Sequence, residues 1–428
     1  MPRTRTALCI ATVVAMVFAA RARGDVYRLV DDPRQAMQVR VDMIQQAKSE
    51  IDALYFLARN DRITWTALAL LRDARRRGVR VRLIVDATFN HVPSAVLAHL
   101  HDEGVEVRVY HPFTLRHPSW IFRRMHDKVV VVDGQRYITG GRNLDEAYFG
   151  LNRKHNFRDR DVYVEGASGS EADLHFEKLW SSHHVADINA DVSIRAKAKA
   201  AALLDAERSS LVNLGFIDFD TGTDWSSGQS HEPAVRFIHD PIDDGQGPRV
   251  AQSLTQIIET ARQSILIESP YLIPSQSLIQ LLGRKQDEGV TIRIITNSMK
   301  STDGLLPQVA YLRYRHFLVT SGMELYEYKG PDTLHSKSVI VDGRIAMVGS
   351  YNVDPRSENL NTEIMCSADD AAAAKALLAA IDTDLRNSWK IPSNGRSPRS
   401  RGYPRVTRTM RFLIWTTQLL LPFIEGQL

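Results

Sequence analysis

Apolar residues recur along this chain at two spacings, and the whole pattern occurs twice. Met37, Val41, Ile44 and Ala47 follow one another at helical spacing and lead into a largely apolar run at 51–57, which predicts a helix feeding a buried strand. About 210 residues later Val250, Leu254, Ile257, Ile258 and Ala261 repeat the spacing and lead into a run at 265–272. A second helix follows each, around 65–77 and 277–288, and stops at Gly78 or Gly289, where glycine closes a helix well. Glycine-led strands at 78–85 and 104–110 have counterparts at 289–295 and 322–328. Each half is expected to end in a tryptophan-bearing helix, at Trp180 and Trp389.

Strands alternating with helices argue for an α/β sheet, and self-similarity across the chain makes it one unit built twice. The expected fold class is α/β: two fused domains related by a pseudo-two-fold axis, each a mixed β-sheet flanked by helices, over residues 25–205 and 235–392. The polar stretch 218–233 marks the connection, assigned to 206–234.

Charge changes that picture at the ends. The 428 residues include 54 Lys and Arg against 50 Asp and Glu, a net charge of +4. Arg3, Arg5 and Arg21 put +3 on residues 1–22, and six arginines against Glu425 put +5 on residues 393–428, so the body between carries −4. A broad nucleic-acid surface does not fit that balance, and no nucleic-acid partner is expected. The apolar run 7–20, preceded by two arginines and followed by Ala20-Arg21-Ala22, reads as a signal peptide or membrane anchor over 1–22. At the other end 412–424 is apolar, includes Trp415 and follows the arginines. It is too short to cross a bilayer and suits the interface of an anionic membrane, so 393–428 reads as a basic, apolar interface tail. Two cysteines, Cys9 and Cys366, exclude a disulfide framework and a cysteine-rich zinc site.

The strongest internal match is polar. Met125-His126-Asp127-Lys128 runs through four valines to Asp133-Gly134 and then to Gly140-Gly141-Arg142-Asn143. Leu334-His335-Ser336-Lys337 runs to Asp342-Gly343 and Gly349-Ser350-Tyr351-Asn352, every position offset by 209. Residues two apart on a strand share a face, so each histidine points with its lysine. The Asp-Gly pair turns the chain, and the return strand presents an asparagine. Two imidazoles, two ammoniums and two amides suit phosphoryl transfer with no metal or other cofactor. One histidine serves as nucleophile and the other as acid and base, with the lysines and asparagines around the non-bridging oxygens. A single His-x-Lys usually marks a half-exposed strand; two full copies inside a whole-chain repeat do not.

Other polar residues carry less. Asp86, Asp145 and Asp354 read as turn or cap residues. Tyr55 and Tyr271, at equivalent strand ends, divide between a headgroup pocket and the core. His91, His101, His155, His183 and His184 read as surface residues, and Cys366 as a buried small one.

These residues resemble the phospholipase D superfamily, whose duplicated His-x-Lys-x4-Asp motifs form one site between two halves. The resemblance covers roughly residues 35–392. The wording is similar to bacterial cardiolipin synthases of the C-type branch at 124–128, 140–150, 352–357, 360–363, 296–298 and 324–327. It implies a phosphatidyltransferase that makes cardiolipin from phosphatidylglycerol and a second phospholipid through a phosphohistidine. The site residues it implies are His126, Lys128, Asp133, Asn143, His335, Lys337, Asp342 and Asn352, with phospholipids and an anionic membrane surface as partners. It also implies an acid after each motif that orients the histidine. Glu363 fits in the second half. In the first, Asp159 and Asp161 compete, and Asp161 is preferred because it directly precedes a strand as Glu363 does. Gly141 stands where the second copy has Ser350, so a hydroxyl contact to phosphate is available in one half only. The expected location is the bacterial inner membrane, peripheral or N-terminally anchored, with the face left open and the periplasmic one admitted by the signal-like segment. The rival readings are hydrolysis to phosphatidic acid by the same site, a nuclease, and a non-catalytic lipid-binding scaffold.

Overall fold

The two Asp-Gly pairs make the hairpins around which each half is organised. Asp133 and Gly134 both take positive φ, 53° and 62°, as do Asp342 and Gly343, 52° and 60°. They close Lys128–Val132 onto Arg136–Gly140 and Ser338–Val341 onto Ile345–Gly349. The structure, a computed structural model, describes residues 24–227, 234–242 and 247–404. The candidate signal segment 1–22, the run 412–424 and part of the connection lie outside the described residues.

Across the first eight-stranded sheet the order is Val26–Val30, Asp161–Glu165, Arg136–Gly140, Lys128–Val132, Glu50–Tyr55, Arg80–Asp86, Glu106–Tyr110 and Val185–Asp187. The second runs Ala234–His239, Ile364–Asp369, Ile345–Gly349, Ser338–Val341, Ser264–Glu268, Thr291–Asn297, Glu324–Tyr328 and Ser388–Lys390. Position by position the two orders agree. In each, three strands pair in parallel and the others antiparallel, which makes both sheets mixed.

Side-chain alternation divides the core. Val130 and Val132 belong to a cluster under the outer helices Pro33–Gln45, Arg62–Arg76 and Ser94–Asp102, while Val129 and Val131 face the other way. Arg249–Glu259, Gln276–Asp287 and Leu305–Thr320 cover the outer face of the second sheet. Between the sheets lie Gly169–Trp180 and Ala371–Arg386. One apolar cluster there joins Val129, Phe176 and Leu179 of the first half with Ile340, Leu377 and Ile381 of the second. The halves share a core.

Two expectations change in detail. Trp180 ends its helix, but Trp389 lies in Ser388–Lys390, an edge strand antiparallel to Glu324–Tyr328. The helix before it stops at Arg386, so the aromatic residue falls on the other side of the helix–strand junction. The apolar run at 265–272 is strand only to Glu268, because Pro270 has no N–H to continue the ladder. Cys366 is buried, within the strand Ile364–Asp369. Among the described residues no helix is long and apolar enough to cross a membrane.

Candidate active site

Each motif strand has two ends with different work. At the turn, the Asp133 carboxylate accepts the N–H groups of Lys48, Ser49 and Glu50 at 2.8–3.2 Å. Asp342 does the same for Arg262, Gln263 and Ser264 at 2.7–2.9 Å. Burial would raise both carboxyls, but these backbone donors hold them below the usual range. The site expected from the motif includes both aspartates; the structure gives them a different place. The length of the motif strand separates them from the lysine and histidine, and they pin the hairpin to the start of the neighbouring strand.

The other end carries the titratable groups. Nδ1 of His126 lies 2.9 and 3.0 Å from the Glu363 oxygens, and Nδ1 of His335 lies 2.6 Å from Asp159. Each pair crosses between the halves, so the histidine of one is held by the acid of the other. Backbone hydrogen bonds enforce the crossing. The His126 N–H donates to the Thr362 carbonyl at 3.1 Å, and the His335 N–H donates to the Arg158 carbonyl at 2.8 Å. Those carbonyls sit one residue before the two acids. Phe157–Arg158 pairs in parallel with Thr333–Leu334, and Met125 bridges to Thr362 in the matching place.

Both imidazoles line one cavity of about 390 Å³, with Phe56, Phe157, Tyr271, Asn143 and Asn352 among its walls. Lys128 donates to the His126 carbonyl at 2.5 Å and lies 5.0 Å from the Phe56 ring centre. Lys337 Nζ is 2.9 and 3.2 Å from the two ring nitrogens of His335. Asn143 accepts from the Leu57 N–H and donates to the Tyr148 hydroxyl, at 3.2 and 3.0 Å. The Asn352 side-chain oxygen is buried with no hydrogen-bond partner among the described residues.

A family model described as cardiolipin synthase, PLD-like domain, matches residues 41–180 and 254–385, once per half and over more than half of the chain. The chain belongs to the phospholipase D-like family. It is 29% identical over 379 residues to cardiolipin synthase C of Escherichia coli (strain K12), covering 77% of this chain and 78% of that protein. An uncharacterized protein of Helicobacter pylori is 26% identical over 401 residues, covering 85% of this chain and 80% of that one. The crystal structure of phosphatidylserine synthase from Haemophilus influenzae Rd KW20 shares the fold, with a TM-score of 0.69 at 15% identity over 94% of this chain and 95% of that one. The chain is thus an enzyme of the phospholipase D type, a phosphatidyltransferase.

In this phospholipase D-like site the acid of the first half is Asp159, which corrects the preference for Asp161. The Asp161 carboxylate binds Arg40 at 2.8 Å and Arg142 at 3.2 Å, with all three side chains buried, and approaches neither histidine. Sheet register gives the reason. Gly140 faces Asp161 as Gly349 faces Met365, so the counterpart of Glu363 is two residues before Asp161. Gly141 belongs to the same geometry: a β-carbon there would overlap the Asp159 carboxylate. At the equivalent position Ser350 donates its hydroxyl to Glu363 at 2.5 Å, which commits that hydroxyl to the acid.

Several lesser assignments also resolve. Tyr271 lines the cavity and donates to Asp303 at 3.0 Å, whereas the Tyr55 hydroxyl turns to Arg40 at 3.1 Å and the next residue, Phe56, takes the cavity wall. Asp145 and Asp354 cap short helices, and Asp86 accepts from the Thr88 N–H while pairing with Arg124. His184 is not a surface residue: it is buried, 2.9 Å from a nitrogen of His111. His155 is half-buried and meets the Thr333 hydroxyl at 3.0 Å. Sequence reading missed Phe56, Phe89 and Asp303 in the cavity wall. All three follow the carboxyl ends of parallel strands, where open α/β sheets place their ligands, so the signal lay in the strand pattern.

Burial dominates the electrostatics. It pushes Lys128 down to about 7 and Lys337 down to about 8, against the pull of Glu363 and Asp159. It pushes Glu363 up to about 7, with Lys128 opposing. Burial would raise Asp159 too, but His335, Lys337 and Arg142 together hold it below the usual carboxylate range. Desolvation and the adjacent lysines lower both histidines, His126 well below its ordinary value.

Proposed function

We propose that this enzyme passes a phosphatidyl group through a phosphohistidine to a headgroup hydroxyl of phosphatidylglycerol, and so makes cardiolipin. The pair of crossed His–carboxylate contacts on one cavity carries this reading. Each Nδ1 is held by a carboxylate, so Nε2 is the atom each ring offers to the reacting groups, and Lys337 lies 3.2 Å from that of His335. Asp159 stays ionised while Glu363 is pushed up to about 7, so a proton is held more firmly on His335 than on His126. His126 therefore attacks phosphorus, and the P–O bond to the leaving headgroup breaks as His335 gives that oxygen its proton. In the second step the acceptor hydroxyl loses its proton to His335 and attacks phosphorus. The P–N bond to His126 then breaks and the starting state returns.

Lys128 and Lys337 supply positive charge where the non-bridging oxygens gain negative charge. An arriving phosphodiester draws both lysines back to their charged form. The aromatic walls at Phe56, Phe157 and Tyr271 favour a lipid alcohol over water as acceptor. The name of the Escherichia coli relative, cardiolipin synthase C, supports the same product.

Mass spectrometry of products from phosphatidylglycerol tests this directly. Cardiolipin plus glycerol is expected; phosphatidic acid as the main product would make the enzyme a hydrolase. A sample quenched with denaturant near neutral pH should carry the added phosphatidyl mass on the peptide holding His126. Finding it on His335 would exchange the two roles.

A further inference from the structure

Between the strand Glu106–Tyr110 and the first motif histidine, the chain leaves the sheet for residues 111–125. The second half has no such excursion, passing from Tyr328 to Thr333 in four residues. The excursion turns apolar side chains outward: Phe113 is 79% exposed, Leu115 87%, Ile121 54% and Phe122 51%. Its base is fastened. Trp120 stacks on His111 at 4.4 Å and on His117 at 4.5 Å, and Arg124 donates to the Thr88 hydroxyl at 2.5 Å and to the Trp120 carbonyl. The exposure therefore belongs to an anchored segment.

Charge and position say what covers it. Residues 111–125 contain no acid, and Arg116 and Arg123 are exposed there while Arg124 is buried against Asp86, on a body that is otherwise net negative. Arg356, a wall of the active-site cavity, donates to the Phe122 carbonyl at 3.1 Å, which puts the segment on the cavity rim. Leu305 and Leu306, each 43% exposed, precede Pro307, another cavity residue. Apolar tips flanked by arginines and a tryptophan match the boundary between headgroups and acyl chains of an anionic bilayer. A cavity of about 390 Å³ suits a headgroup and its phosphorus, so the acyl chains stay in the membrane during reaction.

We propose that residues 111–125, with Leu305 and Leu306, dock this enzyme on an anionic phospholipid bilayer and hold the cavity mouth at the headgroups. The inference rests on the lipid-transfer reading of the site, and its test reads binding without turnover. In a Cys9→Ser background, Phe113→Cys is labelled with an environment-sensitive fluorophore; the other thiol, Cys366, is buried. Vesicles of phosphatidylcholine with phosphatidylglycerol should shift the emission to the blue, and vesicles of phosphatidylcholine alone much less. A label at Ile194→Cys, exposed elsewhere on the surface, should not respond. Arg116→Gln should weaken the response about fivefold, as expected for one cation near an anionic surface. Leu115→Cys serves equally if Phe113→Cys does not fold.

No shift at 113 and 115, or an equal shift at 194, would overturn the proposal. So would a shift that needs no vesicles and grows with protein concentration, which would make the segment a contact between copies. None of these results bears on the chemistry, because transfer assayed on detergent-dispersed phosphatidylglycerol judges the site separately.

Discussion

Asp159 and Asp161, two residues apart, separate a carboxylate that serves a reacting ring from one that serves packing. Asp159→Asn keeps the shape beside His335 and removes the charge, so kcat should fall on the order of 10²–10⁴ even in the fraction that stays folded. Asp161→Asn leaves Arg40 and Arg142 buried beside a neutral group, and should cost about 3–5 kcal/mol of stability while the folded fraction keeps its kcat. Steady-state kinetics paired with denaturant unfolding distinguishes the two. The histidines, lysines and asparagines were legible because strand period alone sets which face they share. The acid was not, since it lies 33 residues after His126 but 28 after His335, and only cross-strand register absorbs the difference. Asp133 and Asp342 show the converse, for a motif says that residues occur together and not that they meet. The lysines give a second test at this scale. In the folded protein Lys128 and Lys337 bind protons less well than in the unfolded chain, where a lysine titrates near ~10.4. Between about pH 7 and 10 the unfolded state therefore holds more protons, and these two groups make stability rise with pH across that window. Lys128→Met should flatten the rise, read as melting temperature against pH for variant and parent.

At the scale of elements, the crossing segments 157–161 and 361–364 decide whether the two rings face one phosphorus. Asp127, between the first histidine and its lysine, ties one of them down. It accepts the Thr362 hydroxyl at 2.9 Å and lies 2.7 Å from Nε2 of His175 on the central helix Gly169–Trp180. Ser336, in the matching place, donates its hydroxyl to the Arg158 carbonyl at 3.1 Å, a carbonyl that already accepts two backbone N–H groups. Asp127→Ala should thus let Glu363 drift from His126 and lower kcat on the order of 10², since small misplacements at a reacting centre cost that much. Ser336→Ala should cost less than tenfold. Equal losses in the two variants, measured under saturating substrate, would mean that Asp127 has no special hold on the segment. Helices and strands were legible where apolar spacing ran unbroken. They were misread at junctions, as at Trp389, where a few residues cannot distinguish the last turn of a helix from a short edge strand.

The molecule as a whole reads as a duplication from its 209-residue offset, but that offset is silent on whether each acid serves its own histidine or the other one. Both arrangements leave the same sequence. Packing decides it, because the helices Gly169–Trp180 and Ala371–Arg386 lie in one core shared by both sheets and bring the crossing segments together. Buried charge reinforces the union: Arg160 of the first half is wholly buried against Glu268 and Asp384 of the second, and Arg158 reaches Asp384 at 2.9 Å. Neither half can then be a complete enzyme. Residues 1–228 and 229–428 made as separate chains should each expose that shared apolar face and leave an unpaired buried charge, so each alone should aggregate or stay partly folded. Made together they should co-purify and transfer phosphatidyl groups, since every contact to the histidines is restored without the covalent connection. Placing His126→Ala in the first piece and leaving the second intact should abolish that activity, because His335 has no second imidazole to work with. Activity from the second piece alone would show that one histidine with its own lysine suffices, and the crossed pairing would then have no part in the chemistry.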